Sequence, residues 1–278
     1  VGACITLDGT ITAPVALAGI DLKFGASLTR GNGLAALTGM PMDGLPPFTA
    51  NGKLTDVPDG YAFTNFTVAS KAATVTGSGT LISGPKRYKI SINANSPMLD
   101  VATLMGPATK SARVIPDMPL PIDALQVIDA DIDLHFGSVK FDDAPPMGAL
   151  LVSAVIADGQ FAAKPVQLVV DPGKTLNIGI TADATKASWT MRADGTGIDL
   201  GKLLTHLGHP GVISGWSSDL KVQLDGRGKS LAALLGSLNG DARISVGPHR
   251  IFNFAVNPQA SLVLRAISPT NAAPDTDV

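Results

Sequence analysis

The sequence predicts a mainly β protein, built from degenerate repeats with a few short helices at the corners. Three observations carry that reading. Runs of alternating apolar and polar residues follow one another, separated by Gly, Pro and Asp turns. All 23 acidic residues are Asp, a poor helix former that favours turns and caps, and Glu is absent. Two phrases also recur: Gly-Ile-Asp-Leu at 19–22 and 197–200, and Leu-Ala-Ala-Leu at 34–37 and 231–234. Repetition on this scale points to stacked units that cover one another's apolar faces rather than to one unique pocket. The two duplications have different offsets, so no fixed period holds.

Taken in order, Phe48, Ala50, Gly52 and Leu54 alternate with Thr49, Asn51, Lys53 and Thr55, and Pro58-Asp59-Gly60 turns the chain into Tyr61–Ala69. Val75, Gly77, Gly79 and Leu81 oppose Thr74, Thr76, Ser78 and Thr80. The clearest run sets Tyr88, Ile90, Ile92 and Ala94 against Arg87, Lys89, Ser91 and Asn93. A period of two gives each set its own face, one dry and one wet. A short helix is expected within 97–106, with a look-alike at 197–204. Alternation resumes with Ala130, Ile132, Leu134 and Phe136 against Asp129, Asp131, Asp133 and His135. It continues at Leu176, Ile178 and Ile180, at Trp189 and Met191, at Leu220, Val222 and Leu224, and at Ala242, Ile244 and Val246. Leu150–Ile156 is apolar on both faces and is expected to be covered twice. Prolines 116, 119 and 121 mark a linker over 114–125. The expected organisation is a first β region over 1–113, that linker, a second β region over 126–256, and an irregular tail over 257–278.

Composition narrows the function. The net charge is −2 and no basic block stands out, which argues against a nucleic-acid surface. The mean hydropathy of +0.27 is high, yet no stretch reaches the ~18 apolar residues of a membrane span. Apolar residues are therefore spread along the chain, in a core or on one long face. Cys4 is the single cysteine and implies neither a disulfide nor a metal.

The chemical motifs each favour a structural reading. Gly226–Ser230 resembles the end of a phosphate loop, but Gln223 stands where its first glycine belongs, so Ser230 reads as a helix N-cap. Asp129, Asp131 and Asp133 share one strand face and lack the glycine-turned loop of a calcium site. His206 and His209 have no patterned further ligands for zinc. No Gly-x-Ser-x-Gly elbow is present, and four histidines without Glu leave little for acid–base work. The expectation is a protein that is not an enzyme, with no cofactor and no metal.

Residues 228–250, from Gly228-Lys229-Ser230-Leu231 through Leu238-Asn239-Gly240 into the strand that follows, resemble the most recognisable segment of the AsmA-like family. There a strand ends in Gly-x-Gly, a Leu-rich helix follows, and Leu-x-Gly leads into the next strand. Val114–Leu125 followed by Asp129–Leu134 is similar to the family's Pro-rich lead-in to an alternating strand, and Leu7–Ile11 and Pro46–Phe48 fit as well. The resemblance, which includes TamB among the family's relatives, covers nearly the whole chain before the tail. It implies an elongated, curved β-sheet groove. It also implies a periplasmic protein anchored in the inner membrane by an N-terminal helix not contained in this sequence, conducting phospholipid or another acyl-chain lipid toward the outer membrane, with possible envelope protein partners. The walls would then be Phe48, Leu54, Val75, Leu81, Tyr88, Ile90, Ile92, Ile132, Leu134, Phe136, Leu176, Ile178, Ile180, Leu220, Val222 and Leu224. The alternative is a structural module of the envelope that assists outer-membrane protein assembly. An open trough and a closed sandwich share this alternation, so the residues alone leave that choice open.

Overall fold

The structure is a computed structural model, and it describes residues 3–16, 18–29, 47–105, 119–120, 122–141, 144–207, 211 and 217–246. Thirteen strands form one curved sheet. Six come first: β1 (Ala3–Ala13), β2 (Ala18–Leu28), β3 (Phe48–Val57), β4 (Gly60–Ser70), β5 (Thr74–Ser83) and β6 (Tyr88–Ser96). A two-residue strand, β7 (Leu99–Asp100), leads into helix α1 (Val101–Met105). The sheet resumes with β8 (Ile128–Phe136), and β9 (Val139–Lys140) pairs with β7 outside that sheet. Next come β10 (Leu150–Ala157), β11 (Gln160–Asp171), β12 (Lys174–Asp183) and β13 (Ser188–Asp199). Helix α2 (Leu200–His206), β14 (Ser217–Arg227), helix α3 (Leu231–Gly236) and β15 (Asn239–Val246) complete the order. Within the thirteen-stranded sheet neighbours pair antiparallel except β6 and β8, which are parallel, as are β7 and β9. The sheet passes from β6 to β8 without a break, so both regions expected from the sequence share it.

Turn chemistry sets the rims. On the first rim, Asp158 (φ 52°) and Gly159 (φ 77°) supply the two left-handed residues of a tight hairpin. On the second rim, Pro172-Gly173, with Gly173 at φ 72°, turns β11 into β12. Bulges bend the strands, as expected of a sheet that must curve. One lies between Phe63 and Phe66, where Asn65 takes φ 49°, and another between Ala163 and Val166, around Pro165.

Among the described residues, two apolar clusters close the margins rather than form a second layer. On the second rim, Ile198, Val139 and Met147 are buried with Phe136, Leu168 and Leu176, and Leu99, Val101 and Leu203 from β7, α1 and α2 pack against them. On the first rim, a strap over 122–127 with a 3-10 turn at Ala124–Gln126 seats Ile122, fully buried, and Leu125 against Ala130, Ile156 and Ala182. The two look-alike segments adopt the same corner: Asp100 accepts a hydrogen bond from Thr103 N at 2.9 Å, and Asp199 accepts one from Lys202 N at 3.0 Å. The duplicated Gly-Ile-Asp-Leu phrase occupies unlike places, opening β2 in one copy and leading from β13 into α2 in the other. Among the described residues, no helix is long and apolar enough to cross a membrane.

The double cover expected for Leu150–Ile156 is overturned. Leu151 is 41% exposed and Val155 47%, on the face that carries His135 and Asp131 opposite them. Among the described residues no second layer reaches that face, so an apolar run on both sides does not mean burial on both. Residues 33–39, the linker prolines 116 and 121, His209 and the 257–278 tail lie outside the described residues.

Candidate functional site: an apolar trough

Strand register joins the apolar faces into continuous rows. One row runs Gly9, Leu22, Leu54, Phe63, Gly79, Ile92, Ile132, Ala154, Ala163, Ile180, Met191, Leu224, Gly240, each the direct partner of the next. It crosses all thirteen strands without one polar side chain. The adjacent row starts at Leu7, Phe24 and Gly52 and crosses the bulge to Phe66. It then follows Gly77, Ala94, Leu134, Val152, Val166, Ile178, Ala193, Val222 and Ala242. At about 4.8 Å between strands, twelve intervals give a face about 58 Å long.

The opposite face, apart from Leu151 and Val155, is largely polar, and many of its groups pair with one another. Lys53 pairs with Asp21 at 2.9 Å and Lys89 with Asp131 at 3.1 Å. Asp133 accepts a short hydrogen bond from Ser153, and Asp129 accepts one from Arg87 at 3.3 Å. The three aspartates considered for calcium are thus a solvated strand face with partners. Among the described residues, no group of three His, Cys or Asp side chains is arranged to hold a metal. His206 Nδ1 lies 2.8 Å from the Pro145 carbonyl, which pins α2 to the second-rim loop. Ser230 caps α3, its hydroxyl accepting from Ala233 N at 3.3 Å.

At the parallel junction, Arg87 binds Asp158 at 2.6 Å, Asp129 and the Gln126 carbonyl. Its guanidinium is held above its ordinary pKa, first by the hydrogen bond to Asp158. Asp56 accepts from Gly19 N and Ile20 N at 3.0 and 2.8 Å, and those two bonds lower its pKa.

All sixteen wall residues expected from the sequence lie on the apolar face, but not in equivalent surroundings. Phe136 and Leu176 are buried beneath the second-rim cluster. Ile90 and Ile132 pack against the first-rim cluster, and Tyr88 stands exposed at that rim. Phe48 and Val75 lie toward the second rim and Leu81 toward the first. Leu54, Ile92, Ile132, Leu134, Ile178, Ile180, Val222 and Leu224 occupy the two central rows, half-buried, and Leu220 flanks them. The wall expected from the sequence left out Leu22, Phe24, Phe63, Phe66 and Val166, and also Val152 and Met191, although the strands of those two were read. For Phe63, Phe66 and Val166 the reason is a bulge, at Asn65 or at Pro165, that shifts the alternation by one residue, and those two residue types inside strand patterns were the available signal.

A one-layer curved β-sheet with a continuous apolar face and helical corners is the architecture expected of an AsmA-like protein. The chain is similar to the AsmA family protein YhjG of Escherichia coli (strain K12), 24% identical over 275 residues, which covers 86% of this chain and 39% of YhjG. That match supports assignment to the AsmA-like family. The chain thus spans about two fifths of its relative's length. No family model matches the chain, and no solved structure does.

Proposed function

We propose that this chain is a length of a non-catalytic lipid groove, conducting phospholipid between the inner and outer membranes. In the full-length protein it stands in the periplasm, anchored in the inner membrane. One observation carries the reading: a row of thirteen residues without a polar side chain, on a sheet across whose centre no second layer lies among the described residues. Such a face attracts aliphatic chains by removing them from water, at about 0.8 kcal/mol per fully buried CH₂. Ten methylenes half covered by the trough gain roughly 4 kcal/mol by that measure, enough to hold a chain and little enough to let it move.

Organic-solvent extraction of the purified chain followed by mass spectrometry tests this. Phospholipid near one or more per chain is the expected result. Lipid-free protein that also fails to take up added phospholipid would sink the groove and favour the assembly-module reading. Ile178→Asp, placed in a central row, is expected to abolish crosslinking to a photoactivatable phospholipid while the far-UV spectrum stays unchanged.

A further inference from the structure

The first-rim strap is joined to the sheet at both ends and along its middle. At one end Pro119 bridges to Ser230, Leu120 N donates to the Lys229 carbonyl at 2.8 Å, and Asp123 pairs with Lys229 at 2.9 Å. At the other end the strap enters β8 at Ile128, beside Arg87 Nε, which donates to the Gln126 carbonyl at 3.1 Å. Between these ends Ile122 and Leu125 are buried with Ala130 of β8, Ile156 of β10 and Ala182 of β12. Phe161 of β11 and Trp189 of β13 pack against the same cluster. Each strand of the sheet from β8 to β13 therefore contributes to the strap's seat, and Lys229 and Ser230 attach it just beyond the end of β14.

The strap has almost no slack. Pro119 to Ile128 is nine peptide steps, four of which pass through the 3-10 turn. At about 2 Å for each step in the turn and about 3.4 Å for each of the others, they reach at most about 25 Å. A bond from Ile122 N to the Leu120 carbonyl at 2.7 Å draws the chain in further. The five strand intervals from β8 to β14 measure about 24 Å when laid flat. Strap and sheet are thus matched in length. Bending the sheet back, or fanning its strands apart at this rim, needs length that the strap lacks unless one of its contacts breaks.

We infer that the strap is a tether that fixes the bend and the first-rim spacing of β8–β14. Ladder hydrogen bonds set the distance between neighbouring strands but leave the angle from one pair to the next free to vary. The strap couples strands that are not neighbours, so it supplies the constraint that the ladder lacks. The buried Ile122 holds it down, and the contacts at Lys229 and Ser230 close the span. This device acts on the shape of the sheet and is independent of what the trough carries.

Two pairs of sites on the polar face serve as matched rulers. Val155 reaches Asp225 through Ala162, Thr181 and Thr190, within the span of the strap. Thr10 reaches Thr80 through Asp21, Thr55 and Ala62, outside it. In the Cys4→Ser protein, cysteines placed at either pair carry spin labels whose backbones lie about 19 Å apart. Insertion of Gly-Ser-Gly-Ser between Val127 and Ile128 gives the strap slack. It is expected to widen the Val155–Asp225 distance distribution roughly twofold and to leave Thr10–Thr80 as it was. Ile122→Ala, which empties the buried seat at unchanged chain length, is expected to widen the same pair by less. An unchanged Val155–Asp225 distribution in both variants overturns the tether. Equal widening of both pairs overturns it too, because that outcome reports loosening of the whole sheet.

Discussion

Lys229 Nζ and Asp123 Oδ1 lie 2.9 Å apart although 106 residues separate them in the chain. The pair ties the first-rim strap to the start of α3, beside a backbone bond from Leu120 N to the Lys229 carbonyl at 2.8 Å. Both side chains are more than half exposed, and exposed pairs contribute about 0–1 kcal/mol. Ile122 on the same strap is fully buried. The apolar contact therefore holds the strap and the ion pair orients it. Lys229→Ala is expected to change stability by less than about 0.5 kcal/mol. Ile122→Ala should cost about 2–5 kcal/mol. Urea denaturation of both variants checks the order, and equal losses would refute it.

The Asp caps of α1 and α2 are expected to behave alike. Asp199→Ala or Asp100→Ala removes a side-chain acceptor from a helix N-terminus and should cost about 1 kcal/mol. Asp199→Asn should recover most of it. A chemical-denaturation series decides this, and an Ala variant as stable as the parent would remove capping as the reason for these corners.

Gly77 sits in a central row where a Cβ would fall 2.2 Å from the Asn93 carbonyl oxygen and 2.7 Å from Ala94 Cβ. Both obstacles are backbone or short side chain and cannot swing away. Gly77→Ala is expected to destabilise by about 1–3 kcal/mol and to raise amide exchange in β5 and β6 first. Exchange that rises uniformly along the chain would contradict this.

Acid lability follows from carboxylates held below their ordinary value of 3.8. Asp183 is lowered by the Thr185 hydroxyl and by Lys186, Asp100 first by the Thr103 backbone N–H, and Asp56 by Gly19 and Ile20. Each binds its proton less readily folded than unfolded. Their stabilisation is therefore complete above 3.8 and is lost as pH falls below it toward the lowered values. The urea midpoint should hold between pH 7 and 5 and drop below pH 4, with a shallower drop in Asp183→Asn. A midpoint flat down to pH 3 would contradict the assignment.

The strands and their dry faces were legible because a period of two survives in sequence wherever one face is solvated. Tyr88–Ala94 and Ala130–Phe136 were read directly, and register then aligned Ile92 with Ile132 and Ala94 with Leu134. The parallel pairing of those strands was not legible, since alternation carries no direction. Nor were Phe63 and Val166, because bulges at Asn65 and Pro165 reverse the phase. The exposed Leu151 and Val155 show a further limit: composition reports what a strand carries, not whether a second layer exists to cover it.

In this sheet each strand leans chiefly on the two beside it, as in a row of books. Stability is then close to a sum of neighbour terms, and cooperativity falls off with distance along the row. Damage at β12 should melt β11 and β13 before it is felt at β3. Length and stability grow together in such an arrangement, strand by strand, so a longer conduit needs no larger core.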